Sequence, residues 1–374
     1  MKTRIAVAGL TVGAAIALSA CSGTTSGTGT APEHDLILAT ITVDTTPQAA
    51  AIKWFFEEVN ERTDGRINID MTSPQEVCKA TETAECVRDG RADIGVALTD
   101  YTAQLFPAEV IVSIPFLSNS SQQATMNALW QAYKEHEGVQ AKWEQVGLIP
   151  VGHWPAGRLT IGANHEINNV ADMQGDKWRV LGPYLVEAFE SINGNPVSLP
   201  GAETYEGVQR GVADSISWAI DGAVDYNLAE LLSEWADPGV GQYNTFGMWL
   251  NPDTYERFSD EDKKIWDEVV EEFNSGKGME VFAEGAAHQC DYMLEHQNVN
   301  SFVRWDDSAA KEWEEKIGDS LEKQWISEAE RNGLEDAEGY LELYKKYVND
   351  VTAEELEKDP VIACVNRFEA EGRN

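Results

Sequence analysis

One arginine stands out by its surroundings. Arg179 lies inside Lys177-Trp178-Arg179-Val180-Leu181, a short apolar and aromatic run that predicts a buried strand. A guanidinium there must meet an anion or bear a desolvation cost of several kcal/mol. Its planar fork suits a carboxylate held by two hydrogen bonds. Two partners would serve: the carboxylate of a ligand, or one of the chain's own acids in an internal salt bridge. Trp154 and Trp218 could add flat apolar walls to such a pocket.

Other chemistry finds little support. There is no GxxxxGK[ST] loop and no GxGxxG after a strand, so nothing points to a nucleotide or another cofactor. The six histidines, 34, 136, 153, 165, 288 and 296, form no HExxH, and no CxxC occurs, so no metal is expected. There is no GxSxG elbow and no cysteine in an activating context. The 64 acidic residues offer carboxylate pairs for glycoside hydrolysis in many places and single out none.

The 374 residues, 43% hydrophobic and with 12 Trp, are enough for two lobes with substantial cores. A formal net charge of −36 excludes general nucleic-acid binding and favours solubility, while leaving room for a locally positive pocket. Lys2 and Arg4, the apolar stretch from Ile5 to Ala17, and Leu18-Ser19-Ala20-Cys21 read as a signal peptide over 1–20. Its apolar part is too short to span a bilayer. Cys21 resembles the lipidated cysteine of a lipobox, which places the body outside the cytosol on a lipid anchor. Residues 21–33 are then that cysteine and a flexible tether. Four cysteines remain, an even number that suggests two disulfides. Of three possible pairings, proximity favours Cys78 with Cys86 and Cys290 with Cys364.

Two runs of alternating strands and helices position these residues. Strands are expected over 36–43, 66–71 and 92–98, with an amphipathic helix from Gln48 to Thr63 and a shorter one from Glu82 to Gly90. One helix is expected over 122–145, followed by strands at 148–152 and 158–164. A second β-α-β-α-β run follows, with strands at 177–181, 196–199 and 213–219. Each run implies parallel strands with helical crossovers. A strand at 246–250 returns to the first lobe, and Ser259 caps a long helix. The expected lobes are 34–157 plus 246–285, and 158–245 plus 286–374. Strand ends facing the cleft would add Thr42, Asp44, Thr99, Tyr101 and Asn251 to the candidate pocket.

Several ordered blocks carry a family resemblance. They include Val87-Arg88-Asp89-Gly90-Arg91-Ala92-Asp93-Ile94, Ile114-Pro115-Phe116-Leu117, Gly157-Arg158-Leu159-Thr160, Asp172 through Val180, and Glu203 through Asp214. From about residue 36 to 285 the chain resembles the extracytoplasmic solute-binding proteins of TRAP transporters. The resemblance implies an α/β, two-lobed periplasmic-binding-protein-like fold, a ligand cleft between the lobes and a long bridging helix. It implies a receptor for a small organic acid that delivers it to TRAP membrane permease subunits and performs no chemistry. It makes Arg179 the residue that grips the carboxylate. Arg158 matches a second arginine that either reaches the ligand or only stabilises the cleft. Trp218, Gly201 and Leu98 stand where relatives place polar, aromatic or acidic contacts, and Ser217 replaces a cation-holding Glu. Together these departures favour an acid with an apolar or aromatic remainder. Two other readings are an extracytoplasmic hydrolase acting on small acids or glycans, and the receptor of an ATP-driven importer.

Overall fold

The computed structural model describes residues 33–349 and 352–373. The expected signal peptide, the lipidated Cys21 and most of the tether lie outside the described residues. Eleven strands form two sheets in this part of the chain. The first contains β1 (His34–Thr40), β2 (Ile67–Met71), β3 (Ile94–Leu98), β4 (Ile149–Arg158) and β10 (Gln242–Leu250), in the order β2-β1-β3-β10-β4. The second contains β5 (Thr160–Ala163), β6 (Lys177–Val180), β7 (Asn195–Ser198), β8 (Ser215–Trp218), β9 (Glu234–Asp237) and β11 (Ser301–Arg304), in the order β11-β9-β5-β8-β6-β7. The expected parallel units are present: β1 pairs in parallel with β2 and β3, and β6 with β7 and β8. Helices cover the sheets, so each lobe is an α/β layer with its own core.

Up to the bridging helix, the chain passes between the lobes three times. β4 runs into β5 through Leu159 alone, and β9 returns to β10 through residues 238–241. The third passage is helical, from Asp260–Glu272 through a wider turn at Phe273–Lys277 into Gly278–Glu295. Gly276 has φ +133° inside that turn, a backbone angle that L side chains rarely adopt, so the bridging helix kinks there. Ser259 caps the helix by accepting from the Asp262 N–H at 3.1 Å. The amphipathic helix Pro47–Arg62 buries Ala51, Phe55 and Val59, the residues whose spacing predicts it.

Three expectations change. β10 begins at Gln242, four residues before the strand expected at 246–250. The helix expected over 122–145 breaks at His136, whose ring accepts from the Val139 N–H and caps a second helix at Glu137–Val146. The C-terminal region does not all stay with the second lobe. Helix Asp307–Ile317 does, with the Trp313 indole donating to Ala188 O. Helices Ser320–Arg331 and Ala337–Val348 return to the first lobe. There the Trp325 indole donates to Pro107 O and the Tyr344 hydroxyl meets Ser118 Oγ at 2.7 Å. Helical periodicity announces a buried face without saying which lobe will bury it.

Cys78 is bonded to Cys86, and Cys290 to Cys364. The second bond ties the bridging helix to the C-terminal helix Pro360–Ala370, which packs on β11. It closes a loop with a sequence separation of 74. In the chain-entropy picture this stabilises by about 4 kcal/mol. The Cys290→Ala/Cys364→Ala variant should lose stability of that order in guanidinium unfolding, against about 2.5 kcal/mol for Cys78→Ala/Cys86→Ala with its eight-residue separation.

Candidate functional site

The ends of the two parallel units face each other. Residues just beyond β1 and β3 touch residues just beyond β6, β7 and β8. Tyr101, after β3, accepts at its hydroxyl from the Gly201 N–H at 3.5 Å. Thr45, after β1, donates to Asp225 at 2.6 Å, and Gln48 donates to Asp221 at 3.4 Å. Gly182, after β6, lies so close to the first lobe that a Cβ there would sit 3.0 Å from Asp100 Oδ1. Its φ of +93° requires glycine as well. The cleft is therefore closed, with its lips in contact.

Arg179 lies at the bottom of this junction and is only 1% exposed. Its Nε donates to Leu199 O and its Nη1 to Ser217 O, both at 3.1 Å. Its guanidinium carbon stands 3.9 Å from the centre of the Trp218 ring, a cation–π contact. The Tyr243 hydroxyl hydrogen-bonds it, and Tyr101 and Tyr226 are its other electrostatic neighbours. No carboxylate lies within ion-pairing distance of it among the described residues. Burial consequently lowers its pKa from the ordinary arginine value, with the tyrosine neighbours opposing the shift. The internal salt bridge that the sequence left open is absent here.

Arg158 has a different fate. Its Nε donates to Asp237 Oδ2 at 2.8 Å, both side chains fully buried, and its Nη2 donates to Asn119 Oδ1 at 2.8 Å. It sits at the end of β4, where the chain enters the second lobe, and Asp237 at the end of β9, where it leaves. This ion pair pins the two crossings together, and of the two roles open to Arg158 the geometry gives it the stabilising one.

The remaining candidates divide. Trp218 and Tyr101 join Arg179. Thr42 lies beyond the cleft end of β1, with a buried hydroxyl that has no protein partner. Trp154 is fully buried inside the first lobe, stacked on Phe246 at 5.8 Å and edge-on to Phe273 at 5.5 Å. Its indole N–H also lacks a partner. Asn251 is nowhere near the cleft. β10 runs antiparallel to β3, pairing Leu250 with Ile94 and Phe246 with Leu98, so the end of β10 lies at the far edge of the sheet. There Asn251 caps helix Pro252–Glu256 and donates to Val87 O. The same reversal brings the start of β10 to the cleft, and with it Tyr243 and Asn244. The sequence carried no sign of either, because the direction of a returning strand depends on its pairing.

Asp221 was also missed. It follows Trp218 by three residues on helix Ile220–Val224 and is buried. Burial, with the nearby Asp225 charge, raises its pKa to about 7. Asp100 is buried too and is raised by desolvation, against hydrogen bonds from Ser113, Asn244 and the Thr245 N–H.

The chain matches the model of bacterial extracellular solute-binding protein, family 7, over residues 38–328. It is 26% identical to the ectoine-binding periplasmic protein TeaA of Halomonas elongata over 170 residues, 44% of this chain and 48% of that protein. It is 26% identical to the 2,3-diketo-L-gulonate-binding periplasmic protein YiaO of Escherichia coli over 178 residues, 46% and 53% of the two chains. The match thus spans about half the length of these curated relatives. Among solved structures, a TRAP solute-binding protein of Rhodoferax ferrireducens in complex with copurified benzoate superposes with a TM-score of 0.75 at 19% identity, covering 84% of this chain and 97% of that one. One of Bordetella bronchiseptica with bound mandelate gives 0.72 at 20% identity, covering 84% and 98%.

Two predictions follow from the arginines and from Asp221. Arg158→Met leaves the buried Asp237 with only the longer ion pair to Arg304 at 3.9 Å, and should cost about 3 kcal/mol in urea unfolding. Arg179→Met orphans no carboxylate and should cost clearly less. The second concerns pH. A folded-state pKa of about 7 against an ordinary aspartate value means that the Asp221 contribution is present at low pH and is lost as pH rises through 7. Asp221→Asn should therefore be more stable than the parent at pH 8. That advantage should shrink by about 1 kcal/mol at pH 6, as read from paired denaturation curves.

Proposed function

Because the chain belongs to bacterial extracellular solute-binding protein family 7, we propose that it is the extracytoplasmic receptor of a TRAP-type secondary transporter. It captures an organic acid anion and delivers it to separate membrane permease subunits without transforming it. One observation carries this reading: Arg179 is buried at the meeting of two lobes with no carboxylate among the described residues to neutralise it. A ligand carboxylate completes its hydrogen bonding and restores charge balance in a dry site, where the pairing is strong. Trp218, Tyr101, Tyr226 and Tyr243 supply the walls.

The anion enters the open cleft, pairs with Arg179 from the second lobe and meets Tyr101 and Tyr243 from the first. Closure then gains the contacts of Thr45 with Asp225 and Tyr101 with Gly201. A ligand that touches both lobes shifts the population toward the closed form by its differential affinity. The aromatic lining supports an acid with an apolar or aromatic remainder over a sugar acid. Solved relatives of this fold hold benzoate and mandelate, which accords with that choice. Thr42 is the first-lobe residue best placed to add a polar contact. No helix among the described residues is long and apolar enough to cross a membrane. Anchoring is assigned to a diacylglyceryl group on Cys21 after removal of residues 1–20.

Thermal-shift screening against short dicarboxylates, oxo acids, sugar acids, amino acids and aromatic acids tests the reading. A ligand that binds only the native state raises the melting temperature by mass action. The expected shift is confined to a subset of carboxylates and disappears in Arg179→Ala. An equal shift in both proteins would make Arg179 structural. A response to sugar acids alone would reject the apolar-remainder assignment.

A further inference from the structure

Asp221 stands next to Gly222, which packs on the same indole as Arg179. Trp218, which stacks on the guanidinium, also covers the first turn of helix Ile220–Val224, so closely that a Cβ on Gly222 would fall 2.4 Å from Trp218 Cγ. The hydroxyls of Tyr226 and Tyr243 feel both charges, the Arg179 cation and the Asp221 carboxylate. Arg179 and Asp221 are thus opposite charges that act on the same two tyrosines.

Buried acceptors outnumber the side-chain donors that reach them at the acidic end. Asp221 is more than nine-tenths buried and has no ion-pair partner among the described residues. Its Oδ2 accepts one long hydrogen bond from Gln48, and its Oδ1 has no partner. Gln48 is wholly buried, and its amide nitrogen is committed to Ala156 O and Asp221. That orientation is fixed, and it leaves Gln48 Oε1 as another acceptor without a donor. Gln289, which lines a small cavity with Asp221, has an unpartnered Oε1 as well, because its nitrogen donates to Asp225. Arg158 lines that cavity too and brings one unpartnered donor, Nη1, but its charge is met by Asp237 and Asp359. Buried acceptors without donors are costly, a carboxylate most of all. The acceptors of Asp221 and Gln48 come from opposite lobes.

We propose that Asp221 and Gln48 form an acidic pole of the ligand site opposite Arg179, so that the solute is an amphoteric acid, a carboxylate that also carries a cationic or N–H-donating nitrogen. This rests on the receptor reading above and narrows its ligand class. The carboxylate pairs with Arg179, the carbon skeleton lies along Trp218 and the tyrosines, and the nitrogen donates to Asp221 and Gln48 as the lobes close.

Calorimetric titration of the purified protein with acids that differ only in the nitrogen tests the proposal. Suitable pairs are phenylalanine against 3-phenylpropanoate, proline against cyclopentanecarboxylate and pipecolate against cyclohexanecarboxylate. In at least one pair the nitrogen-bearing acid should bind about tenfold tighter or more, the worth of a hydrogen bond to a buried charge. Asp221→Asn should reduce that ratio to about threefold or less, whereas Arg179→Ala should weaken both members. Gln48→Leu tests the same pole from the other lobe should Asp221→Asn fail to fold. Equal or tighter binding of the plain acid in every pair overturns the proposal, as does a ratio that survives in both variants. Binding of a plain acid that disappears when N-methylglucamine replaces sodium would put an inorganic cation at Asp221 and overturn it too. If no acid of either kind binds, the organic-acid reading itself falls, and this inference with it.

Discussion

A guanidinium removed from water with no carboxylate to receive it is the constraint on which the rest of this structure depends. The protein surrounds Arg179 with carbonyl oxygens, an indole face and tyrosine hydroxyls, each of which helps a cation without cancelling it. Such an arrangement is poor for stability and good for binding. The cost borne in the empty protein returns as affinity when an anion arrives. A chain with 64 acidic residues could have paired this arginine in many ways. Keeping every one of the described acids out of its reach is a property of the fold.

The contrast with Arg158 makes the same point from the other side. Both arginines end a strand next to the cleft, and both are almost fully buried. Arg158 meets Asp237 where two crossings run side by side, and so becomes part of the hinge. One guanidinium is ion-paired where the chain crosses between the lobes, and the other has no carboxylate partner among the described residues. The division of labour follows from which strand each occupies: β4 borders the crossing, whereas β6 lies one strand further out, beyond β8.

The contacts across the closed cleft are few and polar, and their acceptors are largely carboxylates. Asp100, Asp221 and Asp225 all lie at the junction, and burial raises the pKa of each. The cause common to all three is desolvation, and Asp221 also feels the charge of Asp225 from its own lobe. The kinked bridging helix and the two short strand crossings allow the lobes to move without unfolding either sheet.

Much of this was legible in the sequence because it is local. Alternating apolar strands and amphipathic helices announced two α/β lobes, and an arginine amid Trp and Val marked the end of a buried strand. Period and composition act over a few residues, so they survive without tertiary information. What the sequence could not hold is pairing. The antiparallel direction of β10 sent Asn251 to the far edge of its sheet and brought Tyr243 beside Arg179 instead. Asp237 rather than a solute claimed Arg158, and two C-terminal helices crossed back to the first lobe. Each outcome rests on contacts between residues tens to hundreds of positions apart. Only the closed chain determines which of several equally amphipathic faces, or equally available acids, lies within reach.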